Sequence, residues 1–162
     1  MSTRTDGQAP GVPFRERYLE DYAVGEVVDC GRTAVAQDEV VEFASRYDPQ
    51  PFHVDPAAAE DGPFGGLIAS GWHTAALMMR LYVDAYLSPL ASLGGPGVDE
   101  LRWTAPVRPG DTLSMRAEVL ESRPSSSKPD RGLLRTRVEL FNQHGSKVFA
   151  AVVLNMLRTR PR

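Results

Sequence analysis

The sequence predicts a single α+β domain in which a curved antiparallel β-sheet wraps around one long central helix. Three observations predict it. Residues 68–87 are apolar on nearly every side of a helical axis, a pattern that asks for burial all round. The C-terminal half alternates apolar and polar residues with a period of two, as half-buried antiparallel strands do. The 162 residues, 42% hydrophobic and 24% charged, suffice for one domain with a core of its own.

Taken in order, the N-terminal residues 1–17 open polar, with Gly and Pro and no apolar run. They fit neither a signal peptide nor an anchor, and are expected to be disordered ahead of a domain spanning 18–162. Residues 27–35 read as a strand entered through a turn at Gly25-Glu26. Gln37-Asp38-Glu39 opens a short amphipathic helix with Val40, Val41, Phe43 and Ala44 on its apolar side, Asp38 as the expected N-cap and Arg46 at its end. Residues 47–55 carry Pro49 and Pro51, which stiffen the chain and predict a loop outside regular structure. Asp55 and Pro56 form a good helix opening, and Gly62-Pro63 stops that helix.

The long apolar stretch 68–87 follows. His73, Arg80 and Asp84 interrupt it and its flanks lack positive anchors, so a membrane span is not expected. Strands are expected at 98–107, closed by Arg108-Pro109-Gly110-Asp111, and at 112–121, with Leu113, Met115, Ala117 and Val119 on one face. After a polar loop at 122–132, residues 133–141 alternate again through Leu134, Thr136, Val138 and Leu140. A turn at Asn142-Gln143-His144-Gly145 leads to a last strand, 148–157, apolar enough to lie within the sheet. Only the 68–87 helix is large and apolar enough to cover such a sheet, which is the hot-dog arrangement.

Composition narrows the function. A net charge of −3 and a pI near 5.6 give no basic footprint, against nucleic-acid binding. The arginines at 131, 135 and 137 and at 158, 160 and 162 read as a solvated face and tail, with attraction for a phosphorylated ligand as the alternative. Cys30 is the only cysteine, so the chain forms no internal disulfide, which suits a reducing cytoplasm. His53 and His73 are separated by a helix start and no third soft ligand stands near them in sequence, so no metal is expected. Gly65 and Gly66 fit neither dinucleotide nor phosphate-loop spacing. Ser70 lacks the glycine-flanked elbow of a hydrolase nucleophile. His73 reads as a hydrogen-bonded core histidine, His144 as a solvated one, and Met78-Met79 as core.

The chemistry concentrates in two stretches. Asp48 and His53 stand five residues apart on the proline-stiffened segment, and an acid with an imidazole can orient and deprotonate a water. Phe64-Gly65-Gly66-Leu67-Ile68-Ala69-Ser70-Gly71 then runs into the apolar helix. Asp48, Pro51, His53, Asp55, Phe64, Gly65, Ile68 and Gly71 resemble the hydratase signature of the MaoC-like dehydratases. Its usual form is D-x-N-P-x-H-x-D followed by F-G-x-x-I-A-H-G. Arg102, Pro106, Val107, Pro109, Gly110 and Asp111 resemble that family's later strand and P-G-D turn.

The resemblance implies a hydro-lyase acting on enoyl thioesters of the (R)-3-hydroxyacyl type. Asp48 and His53 are then the catalytic pair, and the Gly71 amide is the oxyanion donor. Phe52, Phe64, Gly66, Ser70 and Trp72 are expected to contact substrate. Attack at Cβ drives negative charge onto the thioester oxygen, where a helix N-terminal amide is worth roughly 3 kcal/mol. A glycine at 71 is expected to let substrate approach that amide. The expected substrate is an acyl-CoA or acyl-carrier thioester, with coenzyme A entering as part of it and no other cofactor. The expected assembly is a homodimer joined sheet edge to sheet edge. Gln50, Tyr47, Ser70 and Met79 depart from the family pattern, where Asn, Gly, His and, in some members, Ser stand. Two other readings remain open at this point, a thioesterase of the same fold and a non-catalytic acyl-thioester-binding subunit.

Overall fold

A computed structural model describes residues 11–162. Its main elements run β1 (Val27–Ala34), α1 (Gln37–Tyr47), α2 (Pro51–Val54), α3 (Pro56–Glu60), α4 (Gly71–Ala85), β2 (Gly97–Trp103), β3 (Thr112–Pro124), β4 (Arg131–Phe141) and β5 (Lys147–Arg158). The five strands lie in the order β1-β3-β4-β5-β2, every neighbouring pair antiparallel. Of the segment expected to be disordered, residues 1–10 lie outside the described residues. Within 11–17 the chain is already engaged: Phe14–Glu16 forms a 3-10 turn and Arg17 pairs with Glu26.

The period-two reading holds in β3 and β4. Leu113, Met115, Ala117 and Val119 are buried, as are Leu134, Thr136, Val138 and Leu140. The opposite face carries Arg116, Glu139, Arg137 and Glu118 in cross-strand ion pairs. β5 lies inside the sheet, between β4 and β2, as its apolar composition requires. The loop expected at 122–132 is shorter than read, because β3 and β4 continue their ladder out to Pro124 and Gly132.

Helix α4 packs across the inner face through His73, Thr74, Met78, Leu81 and Tyr82. A polar knot fixes it there. The Tyr82 hydroxyl donates to Asn155 Oδ1 at 2.8 Å, and the Tyr86 hydroxyl meets Thr136 Oγ1 at 2.9 Å. Burial on all sides is not found, however. Trp72, Ala76, Met79 and Val83, spaced as one helical stripe, are exposed in the single chain. Five strands curve around only part of a helix, so the second apolar face stays open, and Met79 is surface rather than core.

Three boundaries differ from the sequence reading. Residues 68–70 are extended, because the Ile68 N–H donates to Phe52 O and the Ala69 N–H to Val107 O, and backbone pairing there replaces a helical turn. For the same reason β2 stops at Trp103, and Val107 serves the 68–70 segment instead of a strand ladder. Helix α1 starts after Ala36, which makes no side-chain cap, while Asp38 only accepts from the adjacent Glu39 N–H. The expected N-cap Asp55 does cap α3, accepting from the Ala58 N–H at 3.1 Å.

Candidate active site

The segment read as an irregular loop is partly helical. Asp48 closes α1 as its C-cap, and the Ala44 carbonyl accepts its N–H. One turn of helix, Pro51–Val54, then carries His53. Pro51 takes the first helical position, where its missing N–H costs nothing and its fixed φ favours the turn. This turn swings His53 back toward Asp48, leaving Nε2 3.3 Å from Asp48 Oδ2.

Both groups are held from behind. His53 Nδ1 lies 2.8 Å from the Ile68 carbonyl, which can only accept, so Nδ1 carries a proton and Nε2 is the nitrogen turned toward Asp48. The Asp48 carboxylate accepts from Gln50 Nε2 at 2.7 Å and from the Ser70 hydroxyl at 2.7 Å. The Gln50 amide foremost, with the Ser70 hydroxyl and His53 behind it, holds the Asp48 carboxyl below its ordinary pKa and outweighs the opposing effect of burial. A carboxylate oxygen and an imidazole nitrogen thus face each other. With Nε2 unprotonated, a water can donate one O–H to each.

Asp48, His53 and Gly71 line one cavity of about 530 Å³. Gly71 is the first residue of α4, where an N–H has no intrahelical acceptor. Two aromatic pairs form much of the rest of the wall. Phe52 and Phe64 meet edge to face with centroids 5.3 Å apart, and Trp72 and Trp103 do so at 5.1 Å.

Of the residues expected to contact substrate, Phe52, Phe64 and Trp72 line this cavity, and Gly66 and Ser70 do not. Gly66 adopts φ 153° beside the Arg108 guanidinium, which donates to the neighbouring Phe64 carbonyl. Ser70 is wholly buried and spends its hydroxyl on Asp48 while accepting from the Trp72 N–H at 3.2 Å. His73 is buried one turn further on, stacked on Phe43 at 5.0 Å, but its Nδ1 meets no hydrogen-bond partner among the described residues. Sequence reasoning missed Trp103, whose Nε1 donates to the Gly71 carbonyl at 2.7 Å. A tryptophan closing a strand needs an acceptor for its N–H, but only the tertiary structure shows which one.

Among the described residues no helix is long and apolar enough to cross a membrane, and no three His, Cys, Asp or Glu side chains converge as a metal-binding group.

Comparison with known proteins places this geometry in a family. The family model of the MaoC-like domain matches residues 21–139. A 3-hydroxyacyl-thioester dehydratase of Mycobacterium tuberculosis is 32% identical over 139 residues, 84% of this chain and 90% of that protein. The crystal structure of a MaoC-like dehydratase from Rhodospirillum rubrum superposes with a TM-score of 0.82 at 43% identity, covering 90% of this chain and 99% of that one. An R-hydratase from Pseudomonas aeruginosa gives a TM-score of 0.74 at 28% identity, over 88% of this chain and 86% of that one. Sheet order, wrapped helix and matched sequence agree: this chain belongs to the MaoC-like dehydratase family, with its hot-dog fold.

Proposed function

We propose that this protein is a hydro-lyase that adds water across the double bond of a trans-2-enoyl thioester to give the (R)-3-hydroxyacyl thioester, or catalyses the reverse. The observation that carries the reading is the shared cavity. Asp48, His53 and Gly71, the first residue of α4, all line the same space. The hydratase and dehydratase relatives support the same chemistry.

In the addition, water sits between Asp48 and His53 and gives up a proton to the pair as its oxygen bonds to Cβ. The π electrons move to Cα and charge builds on the thioester oxygen, which the Gly71 N–H receives at the positive end of α4. The proton held by the pair then passes to Cα, so one water is added in total. The depressed Asp48 pKa keeps the carboxylate ionised as the first step requires. The apolar walls of Phe52, Phe64, Trp72 and Trp103 take the acyl group and exclude other water.

The substrate is an acyl-CoA or acyl-carrier thioester. The working form is a homodimer. Its support is the free edge of β2 together with the open stripe of Trp72, Ala76, Met79 and Val83, which a second copy covers. A cytoplasmic setting suits the single thiol, Cys30, which is free and buried.

Crotonyl-CoA and longer enoyl-CoA esters, followed by loss of enoyl absorbance alongside free thiol release, test the reaction. Alkene loss without thiol supports the hydro-lyase. Thiol release turns the reading to a thioesterase, and binding without turnover across the series turns it to a non-catalytic subunit. Light scattering on the purified protein reads the dimer directly.

A further inference from the structure

The catalytic carboxylate does not end its contacts at Ser70. The Ser70 hydroxyl donates to Asp48 Oδ2 at 2.7 Å and accepts the Trp72 N–H at 3.2 Å. That N–H belongs to the peptide joining residues 71 and 72. The carbonyl of the same peptide, Gly71 O, accepts the Trp103 indole N–H at 2.7 Å. One peptide unit is therefore held at both ends, by an indole on β2 and by the hydroxyl that grips the carboxylate. Each donation strengthens the next, since a peptide polarised at its oxygen is a better donor at its nitrogen, and a hydroxyl that accepts is a better donor in turn.

The geometry is enforced by shape as well. The indole lies where a Gly71 side chain would be, 2.4 Å from an ideal Cβ, so it packs flush on the first residue of α4. Trp72 meets it edge to face and limits its movement. Ser70 itself is wholly buried, so no solvent competes for its hydroxyl.

We propose that Trp103 is a positioning residue for Asp48, acting through the first peptide of α4 and the Ser70 hydroxyl and not only as cavity wall. The catalytic part of this proposal rests on the hydro-lyase reading above; the placement of the carboxylate does not. It makes the end of β2, an edge strand, one of the supports of the acid/base pair at the end of α1 and on α2.

Trp103→Phe tests it, because it keeps an aromatic ring beside Gly71 and removes the indole donor. Loss of one such hydrogen bond should lower kcat about 3- to 10-fold with KM changed by less than about twofold. The Asp48 carboxyl carbon, followed by NMR against pH, should titrate at higher pH in Trp103→Phe and also in Ser70→Ala. In the Ser70→Ala background, Trp103→Phe should change neither kcat nor that titration further. An unmoved Asp48 titration in the single Trp103→Phe variant overturns the proposal, as does an equal loss of kcat with and without the serine. The titration needs no substrate. A protein that turns over no enoyl thioester yet shows the Asp48 shift would sink the hydro-lyase reading and leave the positioning role standing.

Discussion

Gly71 and Trp103 compete for one volume: a Cβ on Gly71 would fall 2.4 Å from indole Cε2 and 2.7 Å from Nε1. The glycine was expected to clear a path for substrate; in the structure the Trp103 indole takes the space a side chain would fill. Gly71→Ala must push a packed ring aside, and should destabilise the fold by about 1–3 kcal/mol in urea titrations. Trp103→Leu, added to it, should recover part of that loss, because a smaller side chain vacates the contested space. Additive losses in the two variants would contradict this account.

Asp48→Asn replaces the carboxylate with an amide of the same shape. Turnover should fall by about 10²- to 10⁴-fold with little change in melting temperature, measured by enoyl absorbance and thermal denaturation. His53→Ala should lose activity to a similar degree but not leave stability untouched. His53 is buried and its Nδ1 bonds Ile68 O, so truncation strands a carbonyl and costs about 1–3 kcal/mol. Near-normal turnover in either variant would remove that residue from the mechanism.

His73 carries a pH signature. Burial holds its pKa below the ordinary 6.5, with nearby Glu39 pulling weakly the other way. The unfolded chain therefore binds the proton first as pH falls. Stability contributed by the neutral ring is complete above 6.5 and declines as pH drops below it toward the depressed folded value. His73→Phe, which keeps the stack on Phe43, should flatten the melting temperature between pH 6.5 and the onset of carboxylate titration. An unchanged slope would assign that pH dependence to other groups.

Tyr82→Phe removes the donor to Asn155 Oδ1 and to Thr136 Oγ1 while keeping the ring. Asn155 is 6% exposed, so its oxygen is left without ready access to solvent. The expected cost is about 1–3 kcal/mol in chemical denaturation. Activity should change far less, because this knot lies on the sheet side of α4 and does not line the cavity.

Strand patterning was legible wherever one face meets the core and the other meets water, as in β3 and β4. It misled at 104–107, as the helical reading did at 68–70, because Ala69 donates to Val107 O and Ile68 to Phe52 O through backbone bonds that no periodicity encodes. The Asp48–His53 spacing singled out two side chains that do meet, but not the single helical turn that brings them to 3.3 Å. Ser70, just before the helix glycine, was expected to contact substrate. That same position makes it the N-cap, so its side chain turns inward to α4 and Asp48. Trp103 was invisible as a site residue, since its contact with Gly71 spans 32 positions and depends on where an edge strand ends.

The chain has two tryptophans, and both stand in the cavity wall. Its intrinsic fluorescence therefore originates beside the binding space, with no distant indole to dilute the signal. Quenching or a spectral shift on adding a thioester reports occupancy in an unlabelled protein, even in a variant that has lost turnover.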